Sequence, residues 1–89
     1  MGVPLFGPDA LTGLSEAECN RIKQKVSWLW DNRKEIIHHP LRHDFSGLYK
    51  RVLGKYRILY SYDEDTDKMV VHLAGTRDSI YKDAYKKLV

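Results

Sequence analysis

Between Pro40 and Tyr60 lie five basic residues and one acidic one, and the bases alternate with large apolar and aromatic residues. The pattern matters because a half-buried strand presents successive side chains to opposite faces. Read as a hairpin, the segment buries Tyr56, Ile58 and Tyr60. It turns Lys50 and Arg57 to solvent on a common face. A cationic sheet face of that kind suits a phosphate backbone, and the planar guanidinium of Arg57 can grip two phosphate oxygens at once. The charge is placed accordingly. Residues 1–40 hold five Lys/Arg and five Asp/Glu, so the whole net charge of +3 arises after Pro40.

Other chemistries find less material. The four histidines (His38, His39, His43 and His72) form no helical H-x-x-x-H pair with acidic support. A single cysteine, Cys19, excludes an internal disulfide framework and a cysteine-based zinc site. Asp63 to Asp67 is acidic, but it lacks the central glycine and the distal glutamate of a calcium loop. No metal and no cofactor is expected. No segment approaches the ~20 apolar residues that span a bilayer, and Met1 to Gly13 lacks a basic leader region and carries Asp9. A cytoplasmic location and no membrane partner are the expectation.

The elements that must position these residues follow from periodicity and turn chemistry. At 89 residues the chain is expected to form one domain over 1–89. Val3 to Phe6 reads as a short strand that Pro4 confines to an edge or a strand start. Pro8 opens a brief helical turn over Asp9 to Leu14. Ser15 and Glu18 make a capping box. From there Ile22, Val26, Leu29, Trp30 and Ile37 trace an apolar stripe broken only by Arg33, whose stem can lie along an apolar face, and the helix is expected to end near Ile37, before Pro40. Leu48 to Leu53 and Tyr56 to Tyr62 flank the Gly54-Lys55 turn. Met69 to Ala74 is a third strand, ended by Gly75, and Ser79 to Leu88 is a terminal helix. The expected fold class is α+β. A small antiparallel sheet, made of the short N-terminal strand and a three-stranded C-terminal meander, packs on an N-terminal helical hairpin, with a short C-terminal helix.

This order, and several of its residues, resemble the RelE/ParE toxin superfamily. The segment from Phe6 to Leu14 looks like that family's first strand running into its first helix. His39-Pro40-Leu41 followed by Phe45-Ser46-Gly47-Leu48-Tyr49-Lys50-Arg51 looks like its H-P-L…L-x-G-L-Y-[KR]-x-R element. Gly54-Lys55-Tyr56-Arg57-Ile58-Leu59-Tyr60 matches its G-x-Y-R-[VI]-[LI]-Y hairpin. Gly75-Thr76-Arg77-Asp78-Ser79-Ile80-Tyr81 matches its G-H-R-x-x-V-Y ending, with Thr76 in the usual histidine place. The resemblance covers nearly the whole chain.

The resemblance implies the toxin of a type II toxin–antitoxin module. RelE-like members cut messenger RNA, usually on the ribosome, whereas ParE-like members poison DNA gyrase, and both are silenced by a cognate antitoxin. The implied reaction is metal-independent: a 2′-hydroxyl attacks the adjacent phosphate. The implied partners are therefore the antitoxin, mRNA and the ribosome. By position in the motifs, Arg57 and Arg77 would hold phosphate and Lys50 would support the transition state or a proton transfer. Tyr81 would stack on a base near the cut. His39 stands where one RelE-like branch carries a glutamate proposed as general base. Arg51, Lys55 and Arg42 are expected to add phosphate contacts. Val52 departs from the pattern, because RelE-like nucleases often carry a second base there. Two other readings stay open: a gyrase poison, for which retention of Lys50, Arg57, Arg77 and Tyr81 is unfavourable, and a catalytically inactive antitoxin-binding domain, which Val52 and Thr76 favour.

Overall fold

The computed structural model describes residues 2–88. Helix α1, Glu16–Asp31, begins as its capping box requires. The Glu18 amide donates to Ser15 Oγ at 3.2 Å, and the Ser15 amide donates to Glu18 Oε1 at 2.9 Å. Ile22, Val26 and Leu29 are fully buried. The helix stops well short of Ile37. Asn32 and Arg33 turn back and satisfy its terminal carbonyls: Asn32 Nδ2 donates to the Trp28 carbonyl and Arg33 Nη1 to that of Trp30. Arg33 then pairs with Asp67 at 2.7 Å, and Ile37 is left 75% exposed.

The expected helical hairpin is a single helix. Residues 8–13 make only a chain of turns closed by three-residue hydrogen bonds, such as Thr12 N–H to the Asp9 carbonyl at 3.3 Å. Gly13, at φ +87°, breaks any continuation into α1.

The sheet has five strands in the order β1-β5-β4-β3-β2. They are β1 (Leu5–Phe6), β2 (His39–Pro40), β3 (Tyr49–Leu53), β4 (Tyr56–Asp63) and β5 (Lys68–Thr76). The sheet is mixed rather than antiparallel, because β1 runs parallel to β5. The β3–β4 hairpin closes on the two residues Gly54 and Lys55, with Gly54 at φ +57°. Gly75 does not end β5 but lies within it, and a Cβ there would sit 3.4 Å from Ile80 Cδ1. Its missing side chain admits the second helix, α2 (Ile80–Lys87), close to the sheet.

Both faces of the sheet carry a core. On one, Ile22, Val26 and Leu29 of α1 pack on Ile58, Tyr60, Met69 and Val71. On the other, Ile80 and Ala84 of α2 pack on Leu59, Leu73 and Phe45. A bulge in the β4–β5 pairing makes the second core possible. Leu59 faces Leu73 while Tyr60 faces Val71, so β5 carries one extra residue, His72. That extra residue reverses the alternation along β5 and turns Leu73 to the α2 side.

Candidate functional site

Register assigns the faces. Lys50 lies directly opposite Leu59, and Arg57 opposite Val52. Lys50, Val52, Arg57 and Leu59 therefore share one face, and Leu59 identifies it as the face beneath α2. Lys50 and Arg57 are diagonal neighbours across the hairpin, roughly 7–8 Å apart at most by strand geometry. The expectation of a common face holds, but only part of the face is open to solvent. The same alternation that places Arg57 there also places Leu59 there, and Leu59 needs the cover of α2. Lys50 and Arg57 are half-buried.

Arg57 is held by its own turn. Its Nη1 donates to the Gly54 and Tyr56 carbonyls, both at 2.9 Å. A guanidinium has five N–H donors, so Nε and Nη2 remain for an anion. Val52 opposite is 49% exposed and makes this margin apolar where a second base would stand.

β2 brings His39 to the same place. It pairs antiparallel with β3, with His39 directly opposite Lys50. The imidazole is exposed, beside the Lys50 side chain and on the Arg57 face. On the far side of Arg57, the Arg77 amide donates to the Lys55 carbonyl at 3.0 Å. Gly54, Lys55, Thr76, Arg77 and Asp78 line an open cleft of about 550 Å³. Arg77 is exposed, with only a loose 3.7 Å pairing to Asp78. Thr76 Oγ1 is spent on Ser79 Oγ at 2.9 Å. Tyr81, on the first turn of α2, is half-buried against the second core, its ring 6.3 Å from Phe45.

Two expected phosphate contacts lie elsewhere. Arg51 alternates to the α1 face, where its Nη2 donates to the Ile37 carbonyl at 3.1 Å. Its guanidinium carbon lies 5.8 Å from the Trp28 ring. Arg42 precedes a 3-10 turn, His43–Phe45, which packs through Phe45 on α2. That position is in the β2–β3 loop rather than beside Arg57. His38 is absorbed into the first core: its Nε2 donates to the Arg33 carbonyl at 2.8 Å, so its Nδ1 accepts from Tyr60 Oη at 2.6 Å.

A pair that the sequence reading passed over lies on the Arg57 face. Ser61 Oγ is 3.0 Å from His72 Nε2, and burial pushes the imidazole pKa down. Ser61 was readable, because it shares parity with Arg57 and Leu59. His72 was readable too, because alternation from Met69 and Val71, both buried under α1, puts it on the opposite face. Among the described residues no three His, Cys, Asp or Glu side chains gather as metal ligands, and no helix is long and apolar enough to cross a membrane.

No family model matches this chain, and no curated protein does. Solved structures do. A chain of the RelBE2 toxin–antitoxin complex from Mycobacterium tuberculosis superposes with a TM-score of 0.73 at 20% identity, covering 84% of this chain and 90% of that one. The isolated RelE toxin of Escherichia coli gives 0.64 at 22% identity, over the full length of both chains. The chain has the RelE fold. A RelE variant bound to a peptide of the antitoxin RelB also gives 0.64, at 20% identity and 98% coverage of this chain.

Proposed function

We propose that this chain is the toxin of a type II toxin–antitoxin module, an endoribonuclease that cuts mRNA on the ribosome. The observation that carries the reading is the meeting of His39, Lys50 and Arg57 on one sheet face, next to the Lys55–Arg77 cleft. Two cations and an imidazole that can take a proton are what phosphate transfer from a 2′-hydroxyl needs.

In this reading the scissile phosphate sits on the free Nε and Nη2 of Arg57, and Arg77 closes over it from the cleft. Neutral His39 takes the 2′-hydroxyl proton. The 2′-oxygen bonds to phosphorus, the bond to the 5′-oxygen breaks, and the Lys50 ammonium gives that oxygen its proton. The products are a 2′,3′-cyclic phosphate and a 5′-hydroxyl. Solvent then returns a proton to Lys50 and takes one from His39. Tyr81 offers its ring to a base beside the cut. A cognate antitoxin is the expected protein partner. It is acidic, to cover the Lys50, Arg57 and Arg77 surface or to displace α2. The RelE chains of similar fold have been solved with RelB.

A second reading, an inert antitoxin-binding domain, draws on Val52, which leaves the face one base short. Induced expression of the chain alone separates the readings. A nuclease stops translation and leaves coding transcripts with new 5′ ends. Intact transcripts with normal growth favour the inert domain. Intact transcripts with DNA breaks in a supercoiling assay favour a gyrase poison.

A further inference from the structure

A row of cations, none of them in an ion pair among the described residues, runs away from the site along the opposite side of the hairpin. Arg21, Lys25 and Trp28 recur at i, i+4 and i+7 on α1, so they line one edge of the helix. That edge borders the hairpin: Arg21 Nη2 lies over Gly54, and its guanidinium carbon is 5.9 Å from the Tyr56 ring centroid. Lys55 Nζ approaches the same ring at 5.4 Å. Lys25 Nζ sits 3.9 Å from the Trp28 centroid, and Arg51 flanks that indole from β3. None of these four cations forms an ion pair among the described residues, where the ion pairs are Arg33–Asp67 and Arg77–Asp78. Trp28 stays 42% exposed in spite of its two cationic neighbours.

We propose that Arg21, Lys25 and Trp28, with Arg51 behind the indole, are a second RNA-binding track that holds single-stranded RNA leaving the Lys55–Arg77 cleft. It rests on the reading of the chain as a ribonuclease. Lys55 belongs to both surfaces, so the cleft and the track are continuous. Free cations beside an exposed aromatic are the chemistry that binds a single strand without sequence readout, phosphates on the charges and a base on the ring. From Arg21 to Trp28 the helix rises roughly 10 Å, long enough to follow the backbone beyond the cut nucleotide. Glu18, one turn before Arg21 on the same edge, is tied to Tyr56 Oη and marks the end of the row.

The test is the affinity of the full chain for a short single-stranded 2′-O-methyl oligonucleotide, which cannot be cleaved, titrated between about 50 and 200 mM salt. Arg21→Gln and Lys25→Gln should each flatten the salt dependence by about 0.7 in log–log slope. Trp28→Ala should weaken binding about 5- to 150-fold, the loss of one stacked base, and Trp28→Phe should restore most of it. Cleavage at saturating RNA should be unchanged in all four. The track is overturned if these variants bind as wild type does while Arg57→Ala and Arg77→Ala bind worse, a result that leaves the nuclease reading standing. It is also overturned if the variants lose affinity for a polyglutamate peptide and keep it for RNA. Failure of wild type to bind RNA at the lowest salt overturns the track, whereas the nuclease reading falls only if the chain leaves messages uncut on ribosomes.

Discussion

Replacing Arg57 by alanine should abolish cleavage without unfolding the chain, and the structure says how much each effect is worth. Arg57 Nη1 makes two hydrogen bonds to carbonyls of its own turn. Each is worth about 0.5–1.5 kcal/mol net, and the Gly54 carbonyl is exposed enough to take water instead. The stability loss should therefore be near 1 kcal/mol, small beside the roughly 5–15 kcal/mol typical of a domain. The catalytic loss is of another order. A preorganised donor aimed at a developing oxyanion is worth about 2.7–4 kcal/mol, or about 10²–10³ in rate. Arg57→Lys keeps the charge but loses both the two-pronged grip and the carbonyl anchors, so it should fall between wild type and alanine. The assay times cleavage of a defined message on ribosomes, with thermal unfolding measured on the same preparations. An alanine variant that is folded and cuts at the wild-type rate would refute the placement of phosphate on Arg57.

Val52→Lys should be tolerated, because the side chain is 49% exposed, and should raise the rate by supplying a base opposite Arg57, though by far less than the about 10²–10⁴-fold of an evolved acid or base; an unchanged rate in a folded variant would show that the face already has its base. His39→Gln should lower the rate by removing the imidazole that takes the 2′-hydroxyl proton; a folded variant that cuts at the wild-type rate would exclude His39 as the base. Asp67 accepts from Arg33 and Tyr62 and is held well below the usual carboxylate range, chiefly by Arg33. Its folded pKa is depressed, so it stabilises the fold above its unfolded value of about 3.9 and ceases to as pH falls below that. Melting temperatures from neutral to acid pH should therefore drop more steeply for wild type than for Asp67→Asn, and parallel curves would contradict the pairing.

The parts of the fold that depend on one or two residues with a single strong preference were legible. The Ser15–Glu18 box starts α1 and the Gly54-Lys55 pair turns the hairpin, as their types require. What could not be read depends on distant partners. The end of α1 is set by Asn32 and Arg33 folding back on its carbonyls, and Arg33 does so while bound to Asp67, 34 residues away. β2 is two residues long and contains a proline, so no periodicity marks it, yet it delivers His39 to Lys50. One signal was present and passed over. Ile58-Leu59-Tyr60 is an unbroken apolar run, the mark of a strand covered on both faces, and it would have put α2 over the basic face. Arg51 went to the other side by simple alternation, and His72 came to the site's face in the same way, whereas Leu73 lies there only through the bulge.

The central claim is that this face drives attack by a 2′-hydroxyl on phosphate. The direct measurement uses a message cut by the purified chain on ribosomes, and the same message with one 2′-deoxy nucleotide placed 5′ to the scissile phosphate. The account predicts that the unmodified message yields a 2′,3′-cyclic phosphate and a 5′-hydroxyl, and that the deoxy message survives at that bond. A deoxy message cut there at the normal rate, or fragments that begin with a 5′-phosphate, would contradict it.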